Sequence, residues 1–215
     1  MDYKKTFING CLVLLAALTT SGCSSLLDKA GGKFPPDSLA SVGNNKIIVV
    51  GKMELFPPLQ HGEQMVYSNA ERAFVNKAFV VTDDKLHDVK LISPSWISIR
   101  HAAQVELGQT FFYEENFTNV LLYSGSFVQM TYRSENTAYS ESTIYEGKLI
   151  LPGGYKFNLT PGDKAVYIGT FQYYRDASNN ITKVKLKDEY TQANEEFRKK
   201  YGASVDLKNP KPVKF

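Results

Sequence analysis

Apolar positions follow a different rule in each of four stretches of this chain. Phe7 to Leu18 is almost wholly apolar and follows Lys4 and Lys5. Ser24 to Asn45 has little periodicity; it carries Gly31-Gly32, Pro35-Pro36, Ser38, Ser41 and Gly43-Asn44-Asn45, the composition of a flexible tether with a reach of roughly 25 Å. From Lys46 to Lys187 the pattern is that of strands. From Asp188 to Tyr201, Tyr190, Ala193, Phe197 and Tyr201 fall on one stripe at helical spacing.

Within the strand region, Lys46 to Lys52 is a β-branched run that Pro57-Pro58 must end, because proline offers no ladder donor. Leu59 to Tyr67 reads as a loop, Phe74 to Thr82 as a strand, Asp83-Asp84-Lys85 as a turn and Trp96 to Ile99 as a short strand. Gln104 to Tyr113 and Asn119 to Arg133 read as longer strands split by Glu114-Glu115-Asn116, with Gly125 marking a bulge or bend. Leu149-Ile150-Leu151 meets an expected turn at Pro152-Gly153-Gly154; Tyr155 to Leu159 then alternates, and Thr160-Pro161-Gly162-Asp163 turns again. Ala165 to Arg175 is apolar on both faces, with Val166 and Ile168 expected on one and Tyr167, Phe171 and Tyr173 on the other. Such a strand belongs in the middle of a sheet. Asp176 to Asn180 makes a hairpin to Ile181–Leu186, which alternates strictly. The helix is expected to start at Asp188 as N-cap and stop at Gly202, with Glu195/Lys199 and Glu196/Lys200 as i,i+4 pairs. Ala203 to Phe215 reads as an extended tail.

Composition sharpens this picture. Thirteen Tyr and thirteen Phe in 215 residues favour strands. The net charge of +3 includes +1 from Asp2, Lys4 and Lys5, so the remainder carries too little basic excess for a nucleic-acid partner. From Cys23 onward 193 residues remain, enough for one sizeable core, or two small ones. That run is shorter than the ~20 apolar residues that span a bilayer. It has the charge, length and small-residue ending (Thr19-Thr20-Ser21-Gly22-Cys23) of a secretory signal.

Ser21-Gly22-Cys23 resembles the lipobox of bacterial lipoproteins, with Thr20 where that family usually has Leu. The resemblance implies cleavage between Gly22 and Cys23 and lipid on the Cys23 sulfur and amine. It implies a membrane partner through that lipid. With Ser24 rather than Asp next to it, it implies retention at the outer membrane if the source has one. Cys11 would leave with the signal, so the mature chain would hold no disulfide and would depend on its core. The organisation expected is a signal over 1–22, a lipidated tether over 23–45, a β-domain over 46–187, and a helix and tail over 188–215.

Little in the sequence carries chemistry. His61, His87 and His101 lack metal-ligand spacing, and neither G-x-S-x-G nor S-x-x-K occurs. Asp176, Asn179 and Asn180 lack the spacing of a calcium loop. No metal or cofactor is expected. Tyr145, Tyr167, Tyr173 and Tyr174 could form an aromatic surface for a glycan or an envelope protein; core packing is the competing reading. Leu151 to Leu159 resembles the turn and strand of transthyretin-like and carboxypeptidase-regulatory-like sandwiches. The fold expected is an antiparallel β-sandwich with one C-terminal amphipathic helix, the alternative being a lipocalin-like barrel. The function expected is a non-enzymatic envelope binding or structural module. The alternative is a hydrolase or metal enzyme assembled from distant loops around a histidine.

Overall fold

Lys46–Phe56 forms the strand (β1) on which one sheet is built. The computed structural model describes residues 33–60, 62–64, 74–92, 102–136 and 141–215, with the backbone alone over 131–136 and 141–146. Lys77–Asp83 is β2, Ala103–Glu106 β3, Thr110–Asn116 β4, Val120–Asn136 β5 and Glu141–Asn158 β6. Ala165–Arg175 is β7, Ile181–Lys187 β8, Tyr190–Tyr201 α1 and Val213–Lys214 β9. One sheet runs β4-β1-β7-β8 and the other β3-β2-β5-β6-β9. The sheets do not close into a barrel, and the fold is a mainly β sandwich with one helix near its C-terminus. Every strand pair is antiparallel except β1 with β7, which are parallel.

The inner faces supply the main core, including Ile47, Val49, Met53, Val80, Leu121, Val128, Leu149, Phe171 and Tyr173. Burying each large side chain contributes about 1.5–3 kcal/mol. Inside it the Tyr123 and Tyr173 hydroxyls meet at 2.6 Å, and Tyr123 also meets Ser126 Oγ at 2.8 Å. Burial pushes both phenols well above their ordinary pKa. On the outer face of the first sheet, Ala193, Phe197 and Tyr201 of α1 cover Ile48, Val50, Ala165 and Tyr167. The expected stripe is thus the buried one. The outer face of the second sheet packs Phe79 on Phe127, rings 4.8 Å apart, under Val89 and Ala102.

Two bulges decide which side chains reach the core. At Gly169 (φ +106°), β7 has one residue more than β1: Val50 pairs with Tyr167 and Lys52 with Thr170. The alternation of β7 therefore flips. Val166, Ile168, Phe171 and Tyr173 all join the inter-sheet core, while Tyr167 faces α1. This corrects the two-faced assignment of the sequence, which assumed an uninterrupted period of two. Gly125 sits at the second bulge, as expected, in β5 against β2 and β6.

Other differences have equally local causes. Pro152-Gly153-Gly154 makes no turn; β6 runs through it opposite Gly125, where a Cβ on Gly153 would overlap the β5 backbone. The residues resembling a turn-and-strand pair are therefore continuous strand. Gln104 to Tyr113 is two strands in different sheets, separated at Gly108 (φ +78°), whose N–H donates to Met53 O at 2.7 Å. Glu114-Glu115-Asn116 is part of β4 rather than a break. The helix begins two residues after Asp188, whose Oδ1 accepts from Tyr190 N at 3.0 Å, and ends at Gly202 (φ +84°). Lys200 lies over the Phe112 and Tyr201 rings, and Glu196 accepts from Gln192.

Residues 33–45, expected as part of the tether, belong to the folded domain. From Lys33 onward the chain is packed: Lys33 bridges Ala103, Phe34 O accepts from Glu114 N at 2.8 Å, and Pro36 O accepts from the Tyr201 hydroxyl at 3.1 Å. Leu39 and Val42 pack beside α1. Lys33–Phe215 is one compact unit, so the tail belongs to it as well. Lys208 pairs with β7 at Val166, and Val213–Lys214 pairs with β6. The tail thus crosses from one sheet to the other. Gly22, Cys23, residues 24–32, His61, His101, the Trp96–Ile99 strand and the end of the Leu59–Tyr67 loop lie outside the described residues, as does the Tyr145 side chain.

Candidate ligand-binding face

Helix α1 covers only part of the first sheet's outer face. Beyond it, alternation brings out Lys52, Glu54 and Phe56 from β1 and Lys183, Lys185 and Lys187 from β8. The Gly169 bulge brings out Thr170, Gln172 and Tyr174 from β7. The registers set them in three cross-strand rows: Lys52, Thr170 and Lys187; Glu54, Gln172 and Lys185; Phe56, Tyr174 and Lys183.

The row beside the helix is electrostatically closed. Glu189 Oε1 lies 2.5 Å from Lys187 Nζ, and its Oε2 accepts from Thr170 Oγ1 at 3.0 Å. The Lys187 hydrogen bond holds the Glu189 pKa below its ordinary value against partial burial. In the middle row Lys52 Nζ lies 2.7 Å from Glu54 Oε1, and Gln172 Nε2 donates to Glu54 Oε2 at 2.9 Å. Burial works to raise the Glu54 pKa, but Lys52 and Gln172 together hold it down.

The outermost row differs. Phe56, 37% exposed, stacks on Tyr174 with centroids 5.2 Å apart and planes 23° apart. Lys183 and Lys185 place their ammonium groups 5.8 and 5.4 Å from the Tyr174 centroid, within cation–π range. Among the described residues neither lysine has a carboxylate partner. A cavity of about 240 Å³ adjoins this row, lined by Leu55, Phe56, Pro58, Leu59 and Leu107 with Glu54 at its edge. Below it Arg175, almost wholly buried, braces the loop after β1. It donates to Pro57 O at 3.1 Å and Pro58 O at 2.8 Å and grips Glu63 with both terminal nitrogens.

Of the three expected tyrosines with described side chains, the structure places Tyr174 on that face and Tyr167 and Tyr173 elsewhere; the Tyr145 side chain lies outside the described residues. Tyr173 is core, because it neighbours Tyr174 in a strand whose side chains alternate. Tyr167 is under α1, where its hydroxyl accepts from Glu189 N at 3.0 Å. Phe56, Lys183 and Lys185 are not singled out by any local pattern, since they meet Tyr174 only through strand register. The β8 alternation is a usable sign that its lysines share a face.

A second polar cluster is buried. Lys33 pairs with Glu115 and donates to Thr82 O. Thr82 Oγ1 donates to Glu115 Oε2 at 2.8 Å and lies 2.8 Å from the Tyr113 hydroxyl. Burial first and the Glu115 charge second push the Tyr113 phenol well up. Nearby, His87 Nε2 lies 2.6 Å from Asp83 Oδ2, while the His87 backbone N–H donates to Ser124 Oγ at 3.1 Å. Among the described residues no three His, Cys, Asp or Glu side chains gather as metal ligands, and no helix is long and apolar enough to cross a membrane. Compared with known protein families, curated proteins and solved structures, the chain matches none.

Proposed function

We propose that this protein is a non-enzymatic cell-envelope lipoprotein, held at a membrane by lipid on Cys23, that binds an anionic glycan on the Phe56–Tyr174 face. The observation that carries the binding role is the exposed aromatic pair flanked by the Lys183 and Lys185 ammonium groups, neither committed to a carboxylate. Stacked aromatics suit the flat apolar face of a sugar ring, and two cations suit uronate carboxylates. The anchor is supported by the Lys4-Lys5 start, the apolar run and Ser21-Gly22-Cys23. From Lys33 onward the chain is part of the compact domain.

Two measurements test the two halves separately. Fractionation of wild type against Cys23→Ser should move the protein from membrane to soluble fraction with an unchanged melting curve. A mutant that stays with the membrane, or a wild type without lipid label, sinks the anchor. Calorimetric titration with oligogalacturonate should give binding that Tyr174→Ala and Lys183→Glu/Lys185→Glu each reduce about tenfold or more. Undiminished binding in both variants, or none in wild type, sinks the glycan role; binding of an acidic peptide instead would reassign the face to a protein partner. Among the described residues, the Asp83–His87 pair is the observation that favours an enzyme. That reading requires a hydrolytic activity on envelope substrates that His87→Ala removes.

A further inference from the structure

The C-terminal tail spans the gap between the two sheets without filling it. Leu207 is buried and its carbonyl accepts from the Tyr190 hydroxyl at 2.7 Å; Lys208 exchanges two backbone hydrogen bonds with β7, at 2.7 and 3.0 Å. Beyond it Val213 and Lys214 pair with β6, and Phe215 N donates to Gly154 O at 3.1 Å. Asn209 to Pro212 must bridge these points, and Pro210 and Pro212 have no N–H with which to extend either sheet. A pocket of about 280 Å³ lies beneath. Phe157, Ile168 and Leu186 supply its apolar lining, with Leu186 lying over the Gly169 backbone. Its mouth carries Lys187, Asp188 and Lys211. Lys187 is neutralised by Glu189, and Asp188 is engaged with the Tyr190 N–H. Lys211 has no carboxylate partner among the described residues.

We propose that this pocket binds a small amphiphilic anion, its apolar body on Phe157, Ile168 and Leu186 and its carboxylate at Lys211. The volume lies at the lower end of ligand pockets, about 300 Å³, which limits the occupant to a short acyl or single-ring acid. The unpaired Lys211 over an apolar floor sets the sign of its charge. The site shares Lys187 with the row beside the helix but none of the Phe56, Tyr174, Lys183 and Lys185 group, and it does not depend on the anchor.

Photolabelling of the full chain with a diazirine-bearing benzoate tests this, with the labelled residues located by mass spectrometry. Label should fall on Ile168, Leu186 and Asn209 to Pro212. Excess octanoate should compete, and uncharged octanamide should not. Leu186→Trp fills the floor and should cut labelling about tenfold; Lys211→Glu, on the surface, should cut it about threefold. If Leu186→Trp fails to fold by circular dichroism, Lys211→Glu and the octanamide control decide. Phosphatidylglycerol vesicles that compete as well as octanoate would identify a lipid as the source, and octanoate alone a free acid. Absence of label in the pocket, or equal competition by octanamide, overturns the proposal.

Discussion

At one side of the sandwich Lys33 and Phe34 reach from β3 to β4; at the other, Leu207 to Lys214 reaches from β7 to β6. Each of these segments ties the two sheets together; the first lies against the edge strands β3 and β4, and the second covers the outer edge of β6 and the start of β7 that β8 does not reach. The chemistry differs. The N-terminal tie is a buried ion pair, Lys33 with Glu115, whose remaining valences are met by Thr82, the Asn116 N–H and the Thr82 carbonyl. The C-terminal tie uses backbone ladder bonds and one buried Leu, with two prolines over a cavity. A buried pair is unforgiving, because removing one partner strands the other charge in a poor solvent. A strap of ladder bonds can be loosened at small cost. The N-terminal tie is therefore expected to be the costlier of the two to break.

The largest expected effect is at the N-terminal tie. Lys33→Ala should destabilise the domain by about 3 kcal/mol, because Glu115 keeps a buried charge. Urea unfolding with an unchanged m-value measures this. Should the loss be no larger than that of deleting the tail, the contrast between the two ends is wrong.

Next comes Gly169→Ala, expected to cost about 2 kcal/mol from the positive φ that an L side chain resists. The new Cβ would also press on Leu186, whose side-chain end can shift. Adding Leu186→Ala to this variant removes the overlap and keeps the backbone strain. A double variant no more stable than Leu186→Ala alone plus that strain locates the cost in the bulge; full recovery would locate it in packing.

Deleting Asn209 to Phe215 should cost only about 1 kcal/mol, since it removes a few ladder bonds and half-exposed Val213 and Phe215. Hydrogen exchange should then rise at Tyr155 and Lys156 of β6 and stay unchanged at Ala103 of β3. Faster exchange at β3 as well would mean that the two ties are coupled.

The smallest effect is on pH dependence near the N-terminal tie. Burial tends to raise the Asp83 pKa, but its hydrogen bond with His87, the Asp84 N–H and the Lys33 charge hold it below the ordinary value. The folded form then binds a proton more weakly than the unfolded chain. Its stabilisation is present above the unfolded pKa, about 3.9, and is lost as pH falls through the lowered folded value. Glu63, held down first by Arg175, follows the same sign. Asp83→Asn should therefore flatten the acid side of the stability curve slightly, as read from denaturant midpoints between about pH 5 and pH 3. A steeper acid limb would contradict the sign of the shift.

Elements with one dominant period are legible in the amino-acid sequence. The β8 alternation and the α1 stripe announce themselves because each buries one face, and the β1 run because it is apolar on both faces and stops at Pro57. The aromatic face is legible at Tyr174 alone. Phe56 lies more than a hundred residues away in sequence and reaches it through a parallel pairing of β1 with β7 that no local pattern encodes. Lys33 is illegible for the same reason: within a Gly- and Pro-rich stretch it reads as a solvated charge, and only Glu115 on β4 makes it a buried one.

Residue order alone thus dictates a β protein with one C-terminal helix, where most strands lie and which of their faces are apolar. Those are properties of neighbouring residues and of a period of two or 3.6. Folding settles how the strands divide between two sheets and where alternation breaks. It also settles which tyrosines are core and how Lys33 and the C-terminal tail are tied down. A bulge such as Gly169 is defined against a partner strand. The state of a charge such as Glu115 is set by what folding brings beside it, and both depend on contacts between segments far apart in the chain.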